Sequence, residues 1–363
     1  KVTNEGISPA EIVIGTHQDL SGPIKVWGVP VSNGMKMAVE EINASGGING
    51  RKIRMILEDN GYDPKKGVLA SQKMVERDKI FAMIGSMGSA PTLAAQDILF
   101  DAGVLQLFPL TAAEFTFKFD PSKPQERLKF NNLLPYVEST RAALKYMMDW
   151  KNFKKPCILH QDDEYGKNVL DGFNQQLAAM KVQPASTTSY KRGASDFSAQ
   201  VAKMKADGCD LVVLGTVIRE TIGAMNEARK LGWDVTFLGA TPTNVLEVPA
   251  LGKEAVEGLY AASGFEIPYE DTAKGKVKDW LVNYIVKKSP HAETLRQRWM
   301  DDPDPNVQRF VGNSGDTGQM LGVDAKWSYN MVKQVGNYGE LFERNLGRDS
   351  PLDLERGLNG LWT

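Results

Sequence analysis

The feature that most constrains the fold is a regular alternation of short apolar runs with helical segments. Most runs are rich in β-branched residues and continuously apolar, which is typical of strands buried on both faces. Between them, apolar residues recur at helical spacing, as in Met35, Ala38, Val39 and Ile42. The predicted strands are Glu11–Thr16, Lys52–Glu58, Ile80–Gly85, Val104–Phe108, Pro156–His160, Asp210–Gly215, Thr236–Gly239 and Gly258–Ala262.

Strand–helix alternation along a whole chain indicates βαβ units and parallel sheets. About half of the predicted strands precede Pro135 and half follow it. The sequence therefore predicts an α/β fold with two doubly wound parallel-sheet lobes joined by a hinge. Parallel sheets bind ligands beyond the carboxyl ends of their strands. We expect the ligand site in the cleft where those ends face each other.

Composition excludes several classes of protein. The 363 residues carry 43 Lys and Arg against 45 Asp and Glu, a net charge of −2, whereas nucleic-acid binders show a basic excess. The chain has 3 His and 2 Cys without metal-ligand spacing, so neither a metal nor a cofactor is expected. The apolar runs are far shorter than the ~20 residues that span a bilayer. Cys157 and Cys209 are predicted to be buried free thiols, with pairing as the alternative if their two strands lie side by side.

Enzyme motifs are absent from the places where they would act. No G-x-G-x-x-G follows a strand, and neither a P-loop nor a G-x-S-x-G elbow occurs. His160, beside Gln161-Asp162-Asp163 at a strand end, is the best position for a nucleophilic site. A histidine there is more often structural or ligand-contacting. The protein is therefore predicted not to be an enzyme, with a hydrolase using His160 as the alternative.

The segment Ser86–Thr92 lies between a predicted strand and a predicted helix. Pro91 suits the first helical turn, and Ser89 suits the N-cap. A helix start has free N–H groups and the positive end of the helix dipole, so it attracts anions. Ser89 is accordingly predicted to cap the helix, to bind a ligand, or to do both.

Several motifs together resemble one known family. They are Ile14-Gly15-Thr16, Leu20-Ser21-Gly22-Pro23, Glu41-Ile42-Asn43, Gly46-Gly47-Ile48-Asn49-Gly50, Asp63-Pro64-Lys65-Lys66, Ile84-Gly85-Ser86 and Tyr165-Gly166. Over about residues 10–265 the chain resembles the substrate-binding proteins of ABC transporters of the leucine/isoleucine/valine-binding type, which are type I periplasmic binding proteins.

The resemblance implies a two-lobed molecule that closes on its ligand by bending at a hinge. Residues 1–134 plus about 267–363 would form the N-terminal lobe, and residues 135–266 the C-terminal lobe. The hinge crossings are expected near 134–136 and 264–268. Family members cross a third time through C-terminal strands, and the chain stops at Thr363, about where those strands are expected to begin.

The resemblance also assigns site residues. Ser89 matches a serine that holds the ligand carboxylate, and Leu110 and Ala112 match a pair that also holds it. The threonine of that pair is displaced by one position, to Thr111. Tyr165 matches an aromatic residue that closes on the ligand from the far lobe.

The opposite end of the site departs from the family. Val217 stands where amino-acid binders have a tyrosine, and Thr241 where they have the glutamate that pairs with the α-ammonium. An enclosed ammonium without a counter-charge costs several kcal/mol. Arg219 is predicted either to bind a second acidic group of the ligand or to be a solvated helix residue. The apolar or aromatic surface of the site is expected from Trp27, Met87, Phe108 and Val217. His17 is a further candidate for ligand binding.

The resulting prediction is a periplasmic solute-binding protein of an ABC importer, with its signal peptide removed, since the chain starts at Lys1. Its ligand is predicted to be a carboxylate without an α-amino group, such as a benzoate or hydroxycinnamate. Branched-chain or other amino acids and aliphatic or dicarboxylic acids are the alternatives. The expected partners are the permease subunits, and the protein is expected to be a monomer. A ligand sensor that feeds a regulatory partner is the alternative of another class.

Overall fold

The computed structural model describes residues 2–264, which contain two parallel sheets. The first has the order β2-β1-β3-β4-β5. Its strands are β1 Glu11–Gln18, β2 Lys52–Asp59, β3 Ala82–Ile84, β4 Leu105–Leu107 and β5 Lys129–Phe130. The helices of this lobe are α1 Lys25–Ala44, α2 Pro64–Glu76 and α3 Ser89–Asp101, with short 3-10 turns at Glu114–Thr116 and Pro124–Leu128.

The second sheet has the order β10-β9-β8-β6-β7. Its strands are β6 Pro156–Gln161, β7 Ser186–Tyr190, β8 Leu211–Gly215, β9 Thr236–Gly239 and β10 Leu259–Ala261. The helices of this lobe are α4 Tyr136–Lys151, α5 Glu164–Met180, α6 Ser198–Ala206, α7 Ile218–Lys230 and α8 Glu247–Gly252, with 3-10 turns at Thr241–Thr243 and Lys253–Val256. The predicted class of two doubly wound lobes is confirmed.

The central strands are buried along nearly their whole length, as the apolar runs predict. Every residue of β6 and β8 is buried. Strand β7 was missed by the sequence analysis, because Ser186–Tyr190 is polar and alternates between buried and exposed residues. That alternation is typical of a strand covered on one face, and β7 lies at the edge of its sheet. The two-residue β5 is too short to give a pattern.

In each lobe a glycine brings one helix close to the strand that directly precedes it. A Cβ on Gly28 of α1 would lie 1.9 Å from the carbonyl oxygen of Asp19, just after β1. A Cβ on Gly166 of α5 would lie 1.9 Å from the carbonyl oxygen of Gln161, at the end of β6. Only glycine permits these approaches, so both helix starts lie directly beyond a strand end.

The two cysteines form a disulfide, so the prediction of free thiols was wrong. Cys157 lies in β6, and Cys209 lies just before β8, which is the strand next to β6 in the sheet. Their Cα atoms are 5.9 Å apart, within the range that a disulfide spans. The bond therefore joins two neighbouring strands of the second lobe.

The chain passes from the first sheet to the second between Phe130 and Pro156. The predicted crossing near 134–136 falls in this passage and remains a prediction. The second crossing near 264–268, the share of residues 267–363 in the first lobe, and the third crossing lie outside the described residues, apart from Gly264 itself. Within residues 2–264, none of the helices combines the length and apolarity that a membrane span requires.

Candidate functional site

A cavity of about 300 Å³ lies between the two lobes. Each segment that lines it follows the carboxyl end of a strand, so the cavity occupies the predicted cleft. Among the described residues, no lining side chain carries a formal charge. The lining residues are Ile24, Trp27, Tyr62, Met87, Gly88, Ser89, Leu110, Ala112, Asn132, Leu133, Leu134, Tyr136, Tyr165, Val217, Thr241, Pro242 and Gly264.

Ser89 lies in the cavity wall, but it does not cap α3 as the sequence analysis predicted. Gly88 takes the cap position, with a φ of +91° that favours glycine, and Ser89 is the first helical residue. The Ser89 hydroxyl instead lies 2.6 Å from Thr111 Oγ1. Neither Ser89 N–H nor Ala90 N–H has a hydrogen-bond partner among residues 2–264. The start of α3 therefore offers the cavity two backbone donors that no described residue uses.

The loop after β4 forms the wall next to Ser89. Leu110 and Ala112 line the cavity, whereas Thr111 lies behind them, 1% exposed. Thr111 Oγ1 accepts the backbone N–H of Ala113 at 3.2 Å. Leu110 exchanges backbone hydrogen bonds with the β3–α3 loop, because its N–H donates to Ser86 and its carbonyl accepts from Gly88. The structure thus brings together the residues predicted to hold a carboxylate, with Thr111 contacting Ser89.

His17 is fully buried beneath the cavity rather than in its lining. The Asn60 amide donates to His17 Nδ1 at 2.8 Å and to the Met87 carbonyl at 2.9 Å. The Met87 N–H donates to the His17 carbonyl at 2.9 Å. Burial lowers the pKa of His17 to about 4, so the ring is neutral at pH 7. His17 supports the segment that carries Met87, which does line the cavity.

Aromatic side chains form much of the second wall. Tyr165 lies near the start of α5, where Asp163 caps the helix by accepting the Tyr165 and Gly166 N–H groups. The Tyr165 hydroxyl donates to the Thr216 carbonyl at 3.0 Å, and its ring meets Tyr136 edge-on at 5.1 Å. Burial raises the pKa of Tyr136 to about 12 and that of Tyr165 well above its usual value. Both phenols are therefore neutral.

Thr241, Val217 and Trp27 all lie in the lining of the cavity. Trp27 packs against buried residues of both lobes. The Thr241 hydroxyl and the Trp27 indole N–H are buried without hydrogen-bond partners in the described part of the chain. These two lining residues therefore carry polar atoms that no group within residues 2–264 uses.

Three other predicted positions lie outside the lining. The side chain of Arg219 is 62% exposed and lies 3.5 Å from Glu220, as the alternative of a solvated helix residue predicts. Phe108 is buried beside the site. The Nδ1 atom of His160 lies 3.1 Å from the carbonyl of Gln161, so that nitrogen donates a structural hydrogen bond.

Tyr62 and Tyr136 line the cavity, but the sequence analysis did not select them. Tyr62 follows β2 after Asn60-Gly61 and has a φ of +58°. Tyr136 is the first residue of α4, so neither tyrosine lies inside a periodic pattern of a strand or helix. Their one signal is position, because each follows the carboxyl end of a strand, where ligand-binding residues concentrate in this class of fold.

Residues 11–297 match the family model described as periplasmic binding protein. The chain belongs to this family. It is 27% identical over 317 residues to the Leu/Ile/Val-binding protein of Escherichia coli, covering 85% of this chain and 84% of that one. It is 30% identical over 258 residues to the Leu/Ile/Val-binding protein BraC3 of Rhizobium johnstonii, covering 69% and 67%.

A solved structure shows the same fold. It is a branched chain amino acid ABC transporter protein from Thermus thermophilus with bound valine, with a TM-score of 0.70 at 16% identity, covering 93% of this chain and 80% of that one. The family resemblance found in the sequence is thus confirmed. Periplasmic binding proteins are non-enzymatic components of transport, in agreement with the prediction that this chain is not an enzyme.

Proposed function

We propose that this periplasmic binding protein is the solute-binding component of an ABC importer and encloses a small carboxylate between its lobes. The observation that carries the proposal is the interlobe cavity, where the start of α3 has donors that no group in the described part of the chain accepts. The bound form would deliver the ligand to the permease subunits. Bending between the lobes, at the crossings expected near 134–136 and 264–268, would admit and release it.

The start of α3 supports a carboxylate as the anchoring group. Within residues 2–264 the N–H groups of Ser89 and Ala90 are unpaired, and the third helical residue, Pro91, has no N–H. Thr111 Oγ1 already accepts from Ala113. If Thr111 donates its own proton to Ser89, the Ser89 proton is left for the ligand. Two backbone donors, one hydroxyl and the positive end of the helix dipole then converge on an anion.

Two ligand classes follow from different observations. The relatives are named for binding leucine, isoleucine and valine, which supports a hydrophobic amino acid, and we rank this class first. The described lining contains no carboxylate for an α-ammonium, and Thr241 stands at the position expected to supply it. That observation supports the second class, a carboxylate without an amino group, aromatic acids included.

A matched pair of ligands separates the two classes. L-Leucine and 4-methylpentanoate share a carboxylate and a branched side chain, and only leucine carries the amino group. Thermal unfolding is measured with each, and with valine, benzoate and 4-hydroxycinnamate. At 100 times its Kd a ligand stabilises the fold by about 2.7 kcal/mol. Stabilisation by leucine or valine but not by 4-methylpentanoate supports the first class, the amino acids. Stabilisation by the acids that lack an amino group supports the second class. No stabilisation by any of these acids contradicts the proposal.

The disulfide supports the proposed location. Such bonds persist in oxidising compartments, including the bacterial periplasm, and are rare in the cytosol. The Cys157–Cys209 bond is therefore consistent with a secreted protein from which a signal peptide has been removed. The test is to isolate the protein from the periplasmic fraction, alkylate it without a reductant, and count the alkylated cysteines by mass spectrometry. Two alkylated cysteines in that material would contradict it.

A further inference from the structure

The two lobes are joined beside the cavity by a group of polar contacts around Arg192. Arg192 lies just after β7 in the second lobe and reaches Tyr62 in the first. Its Nη1 donates to the Tyr62 carbonyl at 3.0 Å, and its guanidinium carbon lies 4.8 Å from the centre of the Tyr62 ring. Its Nη2 lies 2.7 Å from Asp163 Oδ2. We call Tyr62, Gln161, Asp163 and Arg192 the interlobe clasp.

Tyr62 is held firmly on the first-lobe side of the clasp. Its backbone has a φ of +58°, and its N–H donates to the Asn60 side chain at 2.7 Å. The residue is 3% exposed, and its ring lies against Gly88, where a Cβ would approach the ring to 2.8 Å. Tyr62 therefore lies directly beside the start of α3, where we place the ligand carboxylate.

On the second-lobe side, the clasp ends at the helix that carries Tyr165. Asp163 caps α5, and Gln161 Nε2 donates both to Asp163 Oδ2, at 2.6 Å, and to the Tyr62 hydroxyl, at 3.2 Å. The side chains of Arg192 and Asp163 are only 25% and 9% exposed. Charge-assisted bonds with little access to water are stronger than neutral ones.

We propose that Arg192 is a positioning residue that favours the arrangement in which the lobes enclose the cavity. It is not among the lining residues, and its guanidinium bridges one wall of the cavity to the helix carrying the other. A ligand that binds the enclosed form has a lower apparent affinity when a smaller fraction of the protein adopts that form. Loss of the clasp therefore weakens binding without removing a ligand contact. Only this consequence rests on the proposed function.

Small-angle X-ray scattering of the full chain without ligand tests the clasp directly. We expect Arg192→Ala to have a larger radius of gyration than the wild type. Arg192→Lys should show a smaller increase, because lysine keeps the charge but not the forked geometry. Arg229→Ala is the matched control. Arg229 lies in the same lobe, and its guanidinium donates to the Ala255 and Glu257 carbonyls of that lobe. Its radius should equal that of the wild type.

Binding kinetics give the second measurement, with L-leucine and 4-methylpentanoate as probes. For whichever probe binds, Arg192→Ala should dissociate about tenfold faster or more, as the loss of bonds to a charged group implies. If neither probe binds, the choice of ligand is wrong, and the scattering still tests the clasp. Asp163→Asn keeps the helix cap but removes the ion pair, and replaces Arg192→Ala if that variant does not fold. A radius and a dissociation rate equal to wild type in a folded clasp variant would overturn the proposal.

Discussion

Reduction of the Cys157–Cys209 disulfide should destabilise the second lobe by about 4 kcal/mol at 25 °C. The two cysteines are 52 positions apart, so the bond closes a long loop in the unfolded chain. The chain-entropy relation for a loop of that length gives this magnitude. The bond joins the segment before β8 to the neighbouring β6. Its loss should therefore act on the second sheet rather than the first.

Urea unfolding of oxidised and reduced protein measures the difference. With an m-value of about 3 kcal/mol per M, the midpoint should fall by more than about 1 M on reduction. Hydrogen exchange, followed peptide by peptide, assigns the loss to a lobe. The control is the double variant Cys157→Ala, Cys209→Ala, whose midpoint should not respond to reductant.

Two results would refute this reasoning. One is an unchanged midpoint after reduction that mass spectrometry shows to be complete. The other is a loss of protection spread equally over both lobes. The first would mean that the bond adds little to the entropy difference between folded and unfolded chains. The second would mean that the lobes unfold as one unit.

Three further predictions concern the site. Because the pKa of His17 falls from 6.5 to about 4 on folding, the unfolded state takes up this proton first as pH falls. Stability should therefore drop by about 3 kcal/mol between those pH values and not further below them, and urea titrations of His17→Gln should lack this slope. Ser89→Ala should weaken ligand binding by about 1–3 kcal/mol, measured by calorimetry; unchanged affinity would exclude the hydroxyl as a ligand contact. Gly88→Ala should weaken binding more than Gly46→Ala. Both glycines have positive φ, but among residues 2–264 only a Cβ on Gly88 would meet other side chains, those of Tyr62 and Pro91; equal affinities would contradict this.

Much of the fold could be predicted because it depends on local pattern. A continuous apolar run such as Leu211–Gly215 is compatible with a strand buried on both faces, and its turn signals and helical neighbours make the sheet parallel. Ser186–Tyr190 was missed because an edge strand is covered on one face only and can keep a polar sequence. Local pattern thus indicates central strands better than edge strands.

The candidate site could be predicted in part. Ser89 was selected because it follows a strand and starts a helix, both of which are visible in the sequence. Its contact with Thr111 depends on β3 and β4 being neighbours. The role of Gly88 as the cap depends on a backbone angle that no side-chain pattern encodes.

By itself, the sequence determined the alternation of strands and helices that predicts two parallel-sheet lobes, the absence of enzyme motifs and the family resemblance. Each of these follows from residue types at short spacing. Only the tertiary structure decided that Cys157 pairs with Cys209, that His17 lies beneath the cavity, and that Arg192 reaches Tyr62, 130 positions away. Such contacts depend on strand order and on how two lobes meet. Those are set by packing over the whole chain, so no local segment contains the information.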